Sequence, residues 1–187
     1  KCTPSGIGGV RRLDRAAPTS GAPPSDTFTY DPEKPVPTGL FGAYSRMPVD
    51  RREIQQRPDA LVYTTDPPTA PLEVTGPITA VLYIASSAKD TDFTAAISDV
   101  QPDGTVRALT DGILRARYRA SRTTPELLVP GTRYEVRIDV GATGNVFLPG
   151  HRIRLEVSSS NFPRYGIKKR DGFRGSRQLD PSAVAPS

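Results

Sequence analysis

Three serines in a row, Ser158, Ser159 and Ser160, follow the chain's single histidine, His151, within the stretch PGHRIRLEVSSSNFPRY. A serine nucleophile needs a base within hydrogen-bond reach and a third group to orient that base, so His151 would have to fill the role of base. The spacing argues against it. His151 stands directly after a Pro-Gly turn and seven residues before Ser158. In an extended strand that separation spans roughly 23 Å, at about 3.3 Å per residue. The nucleophile-elbow pattern G-x-S-x-G is absent from the whole chain, and so is the strand-to-helix alternation in which such an elbow sits. His151 is therefore expected to cap a turn or to hydrogen-bond at a sheet end, and no residue is assigned a catalytic role.

The elements around it carry a β pattern. In LLVPGTRYEVRIDV a Pro-Gly turn precedes strict alternation: Tyr134, Val136, Ile138 and Val140 face inward, while Arg133, Glu135, Arg137 and Asp139 face out. The same grammar recurs in LPGHRIRLEVS, with Ile153, Leu155 and Val157 inward and Arg152, Arg154 and Glu156 outward. PITAVLYIASS is apolar on both faces, which predicts a central, doubly covered strand. DFTAAISDV runs through the turn Gln101-Pro102-Asp103-Gly104 into TVRALTDG as its partner. DTFTY reads as a short strand. Residues 41 to 58 could hold one or two helical turns, with Asp50 as N-cap. About eight or nine short strands separated by turns argue for an antiparallel sandwich.

Composition agrees. The 187 residues include 20 prolines and 16 glycines, which favour short strands and many turns. A single cysteine, Cys2, excludes a disulfide framework. No signal-peptide core or long apolar run is visible, so no membrane is expected and a cytoplasmic location is favoured over secretion. The chain starts at Lys1 and reads as a piece of a longer one. Of the net charge of +5, the stretch from Arg164 onward supplies +4, from six basic residues against Asp171 and Asp180. The body is nearly balanced, which argues against a nucleic-acid surface.

LVYTTDPPTAPLEVTGPITAVLYIASSAKDTDFTAAISDVQPDG, then DGILRARYR and NVFLPGHRIRLEVSSSNFPRY, closely resemble the C-terminal domain of the CocE/NonD serine hydrolases. That family includes cocaine esterase-like enzymes, α-amino-acid ester hydrolases and X-Pro dipeptidyl-peptidases. The resemblance covers approximately residues 25 to 165. It implies an all-β fold, a jelly-roll β-sandwich of the galactose-binding-like type. By composition residues 1–24 read as a flexible or extended N-terminal segment and 166–187 as an irregular basic tail. In the family the catalytic serine, aspartate and histidine lie in a preceding α/β-hydrolase domain, so none carries over. That hydrolase domain is the expected partner, and the active-site cleft lies where the two domains meet. After Tyr165 the family continues to a closing strand, whereas this chain reads GIKKRDGFRGSRQLDPSAVAPS. A truncated or frame-shifted product is one explanation. A sandwich edge left open in this way invites pairing with another chain, hence homo-oligomer contacts.

Six residues are the candidate interface. Arg115, Arg117 and Arg119 form a stripe of forks suited to carboxylates on the partner domain; the plainer reading is a sheet face balanced by Glu135, Asp139 or Glu156. Asn161, Phe162 and Arg164, in the loop after the last strong strand, are expected at the domain junction or cleft rim. Asp90, Asp92, Asp99 and Asp103 match no calcium loop, so neither metal nor cofactor is assigned. A stand-alone carbohydrate- or protein-binding module is the rival reading. It would need an exposed aromatic platform, yet the chain has no tryptophan, and alternation turns Tyr118 and Tyr134 inward, leaving Phe162 and Tyr165.

Overall fold

The computed structural model describes residues 11–13, 25–38 and 49–166. Cys2 and all of the basic tail except Gly166 lie outside these. Seven strands occur among the described residues: β1 (Arg11–Arg12), β2 (Leu61–Thr64), β3 (Leu72–Ile84), β4 (Asp92–Val100), β5 (Val106–Arg115), β6 (Tyr134–Phe147) and β7 (Arg152–Ser158). They form a five-stranded sheet in the order β1-β2-β7-β4-β5 and a two-stranded sheet of β3 and β6. The architecture is the all-β sandwich expected from the sequence.

Local chemistry explains the strand ends. Both Pro-Gly turns place their glycine at positive φ, +78° at Gly131 and +88° at Gly150, a conformation that costs glycine nothing. The β4–β5 hairpin closes through a 2.9 Å bond from the Gln101 amide to the Thr105 carbonyl, and Asp103 braces Thr105 through its amide and hydroxyl.

The apolar layer lies between the sheets. Phe93 and Ala95 of β4 meet Ala80 and Ile84 of β3 and Val136, Ile138 and Val140 of β6, with Leu155 and Ile97 packed against them. The alternation in β6 is as the sequence predicts, and of the inward set of β7, Leu155 packs on the core and Val157 is buried. At one corner the sheets touch: Thr110 donates to the Val140 carbonyl, and a Cβ on Gly112 would lie 1.9 Å from the Asp139 carbonyl oxygen. Only glycine fits that crossing.

Several expectations are corrected. The central, doubly covered strand is β4, between β7 and β5 and buried on both faces. PITAVLYI instead belongs to β3, which among the described residues pairs only with β6 and leaves Val81 43% and Tyr83 61% exposed. Small polar residues on the outer face of β4 hid its position, because Thr94 and Ser98 look solvent-facing in sequence yet are buried. Glu156, expected outward, is 3% exposed. The outer face of the large sheet is covered by the chain around residues 49–60, where Arg51, Ile54 and Gln55 are buried. DTFTY forms no strand. The described part of 41–58 contains a 3-10 turn, Ile54–Gln56, preceded by Glu53 rather than Asp50. Asp50 instead accepts from the Arg52 and Val106 amides, joining this covering segment to β5.

Candidate functional site

The serine run ends β7 and continues into the loop beyond it, with all three residues buried. The Ser158 hydroxyl donates to the Ser160 carbonyl at 2.8 Å, which leaves Thr94 as donor across their 2.7 Å hydroxyl contact. The Ser160 hydroxyl accepts from the Val36 amide at 2.8 Å. His151 lies beyond the opposite end of β7, where its Nδ1 sits 2.9 and 3.0 Å from the two carboxylate oxygens of Asp99. The β4–β7 register spans the distance between them, with Thr94 opposite Ser158 and Val100 opposite Arg152. Serine and histidine therefore do separate structural work. The serines fasten the end of β7 to the segment around Val36, and His151 ties the start of β7 to β4.

The three-arginine stripe is broken by local geometry. β5 ends at Arg115 and a 3-10 turn, Ala116–Tyr118, follows, so Arg117 and Arg119 leave the strand alternation. Arg115 forms a fork with Asp92, its direct partner in β4, at 2.8 and 3.0 Å. That hydrogen bonding holds its pKa above the ordinary arginine value. Arg117 pairs with Asp90, and Arg119 pairs with Glu126 while stacking over the Tyr134 ring at 4.4 Å. The balancing carboxylates are thus Asp92, Asp90 and Glu126, not the expected Glu135, Asp139 or Glu156. Those three are engaged elsewhere: Glu135 with Arg137, Asp139 with the Gly141 amide, and Glu156 with Arg51. Among the described residues no group of three or more His, Cys, Asp or Glu side chains could hold a metal ion.

Asn161, Phe162 and Arg164 are brought together with residues the sequence did not single out. Asn161 is buried and donates to Asp111 of β5 at 2.7 Å, and the same carboxylate oxygen receives Arg164 Nε at 3.1 Å. Tyr165 donates to the Asp111 carbonyl at 3.4 Å, and burial pushes its phenol pKa up. Two backbone bonds then hold Phe162 against the segment before it: its amide donates to Val36 at 2.9 Å, and its carbonyl accepts from Thr38 at 2.7 Å. The Phe162–Pro163 peptide is cis. The result is a loop pinned at both edges, with Phe162 left 42% exposed and the Arg164 side chain 54% exposed. Asp111 and Thr38 are its unforeseen anchors. The one signal for Asp111 is its place beside Gly112 in mid-strand, a position where close backbone approach is common.

Comparison with known proteins matches the chain to a family model and to parts of longer proteins. Residues 5–184 match the model described as the X-Pro dipeptidyl-peptidase C-terminal non-catalytic domain. A cocaine esterase of Rhodococcus sp. (strain MB1 Bresler) is 52% identical over 157 residues, which are 82% of this chain and 27% of that protein. Among solved structures, an aminopeptidase from a marine sediment Thaumarchaeota archaeon aligns with a TM-score of 0.67 at 34% identity, covering 73% of this chain and 25% of its own. An α-amino acid ester hydrolase aligns with the same TM-score and coverage at 30% identity. The chain spans about a quarter of the length of each of these relatives.

Proposed function

The chain belongs to the X-Pro dipeptidyl-peptidase C-terminal non-catalytic domain family, and from that premise we propose that it docks through the Asn161–Arg164 loop on the α/β-hydrolase domain of a CocE/NonD-type enzyme. There it shapes the cleft in which a serine of that partner attacks an ester, or an amide after proline. The domain itself supplies support and no nucleophile.

The observation that supports this reading most is Phe162, an aromatic side chain held in solvent by a loop whose backbone is bonded on both sides. A pinned aromatic loses little conformational freedom on docking, so more of its burial appears as affinity. Arg164 stands beside it with its guanidinium over the Tyr165 ring and its Nε on the Asp111 carboxylate, so it holds the loop to β5. Arg115, Arg117 and Arg119 enter as braces, because each already holds a carboxylate of this domain.

The test is a chimera in which this chain replaces the C-terminal domain of a related esterase. Phe162→Ala is expected to shorten the thermal half-life of the chimera and to reduce its ester turnover, while leaving the denaturation midpoint of the separate chain unchanged. A chimera indifferent to Phe162→Ala would remove the loop from the interface.

A further inference from the structure

Two arginines on the outer face of β7 carry charge that the neighbouring acids do not neutralise. Arg152 and Arg154 are half-buried and two residues apart, so they share a face with their Cα atoms roughly 7 Å from each other. Among the described residues neither forms an ion pair. Glu156 is held by Arg51 and Gln55, and Asp99 by His151. Asp66, which a continuation of the β2–β7 register sets opposite Arg152, is exposed and forms no ion pair with it. The bonds the two arginines do make go to neutral groups. Arg152 donates to the Thr65 carbonyl at 3.3 Å, and Arg154 to the Thr64 hydroxyl at 2.8 Å and the Gln55 side-chain oxygen at 3.0 Å. Burial lowers the Arg154 pKa and the Arg152 charge lowers it further, against an opposing pull from Glu156. The same row of the sheet holds an unmatched donor. Ser98 of β4 stands directly opposite Arg154 and so shares its face. Its hydroxyl is 0% exposed and has no hydrogen-bond partner among the described residues, a condition that is costly and calls for a ligand.

We infer that Arg152, Arg154 and the Ser98 hydroxyl form a site for a tetrahedral oxyanion of the phosphate or sulfate type, on the outer face at the start of β7. Each guanidinium presents parallel N–H donors that match two oxygens, and a dianion balances both cations at once. A lone carboxylate would leave one of the two charges unanswered. Partial burial favours the ion, because water and salt screen it less than at an open surface. The Asn161–Arg164 loop leaves the opposite end of β7, so this site does not depend on hydrolase docking.

Calorimetric titration of the full chain with phosphate and with sulfate, at an ionic strength held constant with chloride, tests this. One ion per chain is expected to bind. Arg152→Gln is expected to weaken binding at least about tenfold, the loss of one charge-assisted fork. Arg154→Lys, which keeps the charge and loses the fork, is expected to weaken it as well, and Ser98→Ala by roughly two- to tenfold. Both ions stabilise folded proteins in general through exclusion from their surfaces, so thermal midpoints are compared between variants. The wild type is expected to gain more from phosphate than Arg152→Gln does. In chloride alone the two midpoints are expected to match, because removing Arg152 relieves its repulsion of Arg154. Phe162→Ala, which tests hydrolase docking, should bind phosphate as the wild type does. No saturation by about 10 mM of either ion, roughly ten times a millimolar dissociation constant, would overturn the proposal. So would an Arg152→Gln variant that binds phosphate normally, or acetate binding as tightly as phosphate, which would make the ligand a carboxylate.

Discussion

The outer face of β7 and the outer face of β3–β6 share one alternating pattern, yet they end in opposite environments. On β7, Glu156 is buried beneath Arg51, whose Nη2 lies 2.6 Å from Oε1 and whose Nε donates to Oε2 at 2.8 Å. Gln55 donates to the same carboxylate at 3.0 Å and accepts from Arg154, which also donates to Thr64. Burial and the neighbouring Arg152 push the Arg154 pKa below the ordinary arginine value. On the small sheet, Glu135 and Arg137 pair with each other in solvent, and Val81 and Tyr83 stand exposed among the charges. Alternation thus tells which side chains share a face. Whether that face meets water depends on what folds over it, here the aperiodic segment that carries Arg51 and Gln55.

The comparison breaks hardest at its buried end. Glu156→Ala strips the carboxylate from a covered arginine and should cost about 3–5 kcal/mol, the usual penalty for leaving one partner of a buried pair alone. Urea denaturation reads it directly. Glu135→Ala, the exposed counterpart, should cost at most about 1 kcal/mol in the same measurement. Gly112→Ala probes the corner that joins the two sheets, where the new methyl group meets the Asp139 carbonyl, and should cost about 1–3 kcal/mol. The smallest effect comes from Asp50, at the margin of the covering segment. Burial pushes its pKa up, but hydrogen bonds from the Arg52 side chain and from the Arg52 and Val106 amides outweigh this and hold it below the ordinary carboxylate value. A depressed folded value means that the contribution is fully present above the unfolded pKa and is lost as pH falls through the folded one. Asp50→Asn should therefore remove a few tenths of a kcal/mol at neutral pH and leave stability below about pH 4 less dependent on acid.

The sandwich itself was legible, because Val136, Ile138 and Val140 alternate so strictly that no helix could use them. The separation of His151 from Ser158 was legible for the same reason, since β7 keeps them at opposite ends. What covers the sheets was not. Thr94, Ser98 and Glu156 have side chains that suit water, and only contacts with residues dozens of positions away make them interior. The loop after β7 was half legible. Asn161, Phe162 and Arg164 could be chosen from their place after the last strand, but Asp111 and Thr38, which pin them, sit in segments separated from it by long stretches of chain. The arginine stripe failed at a single feature, the 3-10 turn after Arg115, which no periodicity announces.

The central claim is that the residues able to do chemistry here are fabric instead. Treating the purified chain with a fluorophosphonate probe, alongside a p-nitrophenyl ester assay, tests it most directly. The account predicts no labelled serine and no turnover above buffer. Stoichiometric labelling of Ser158, Ser159 or Ser160, with ester hydrolysis that the probe abolishes, would contradict it.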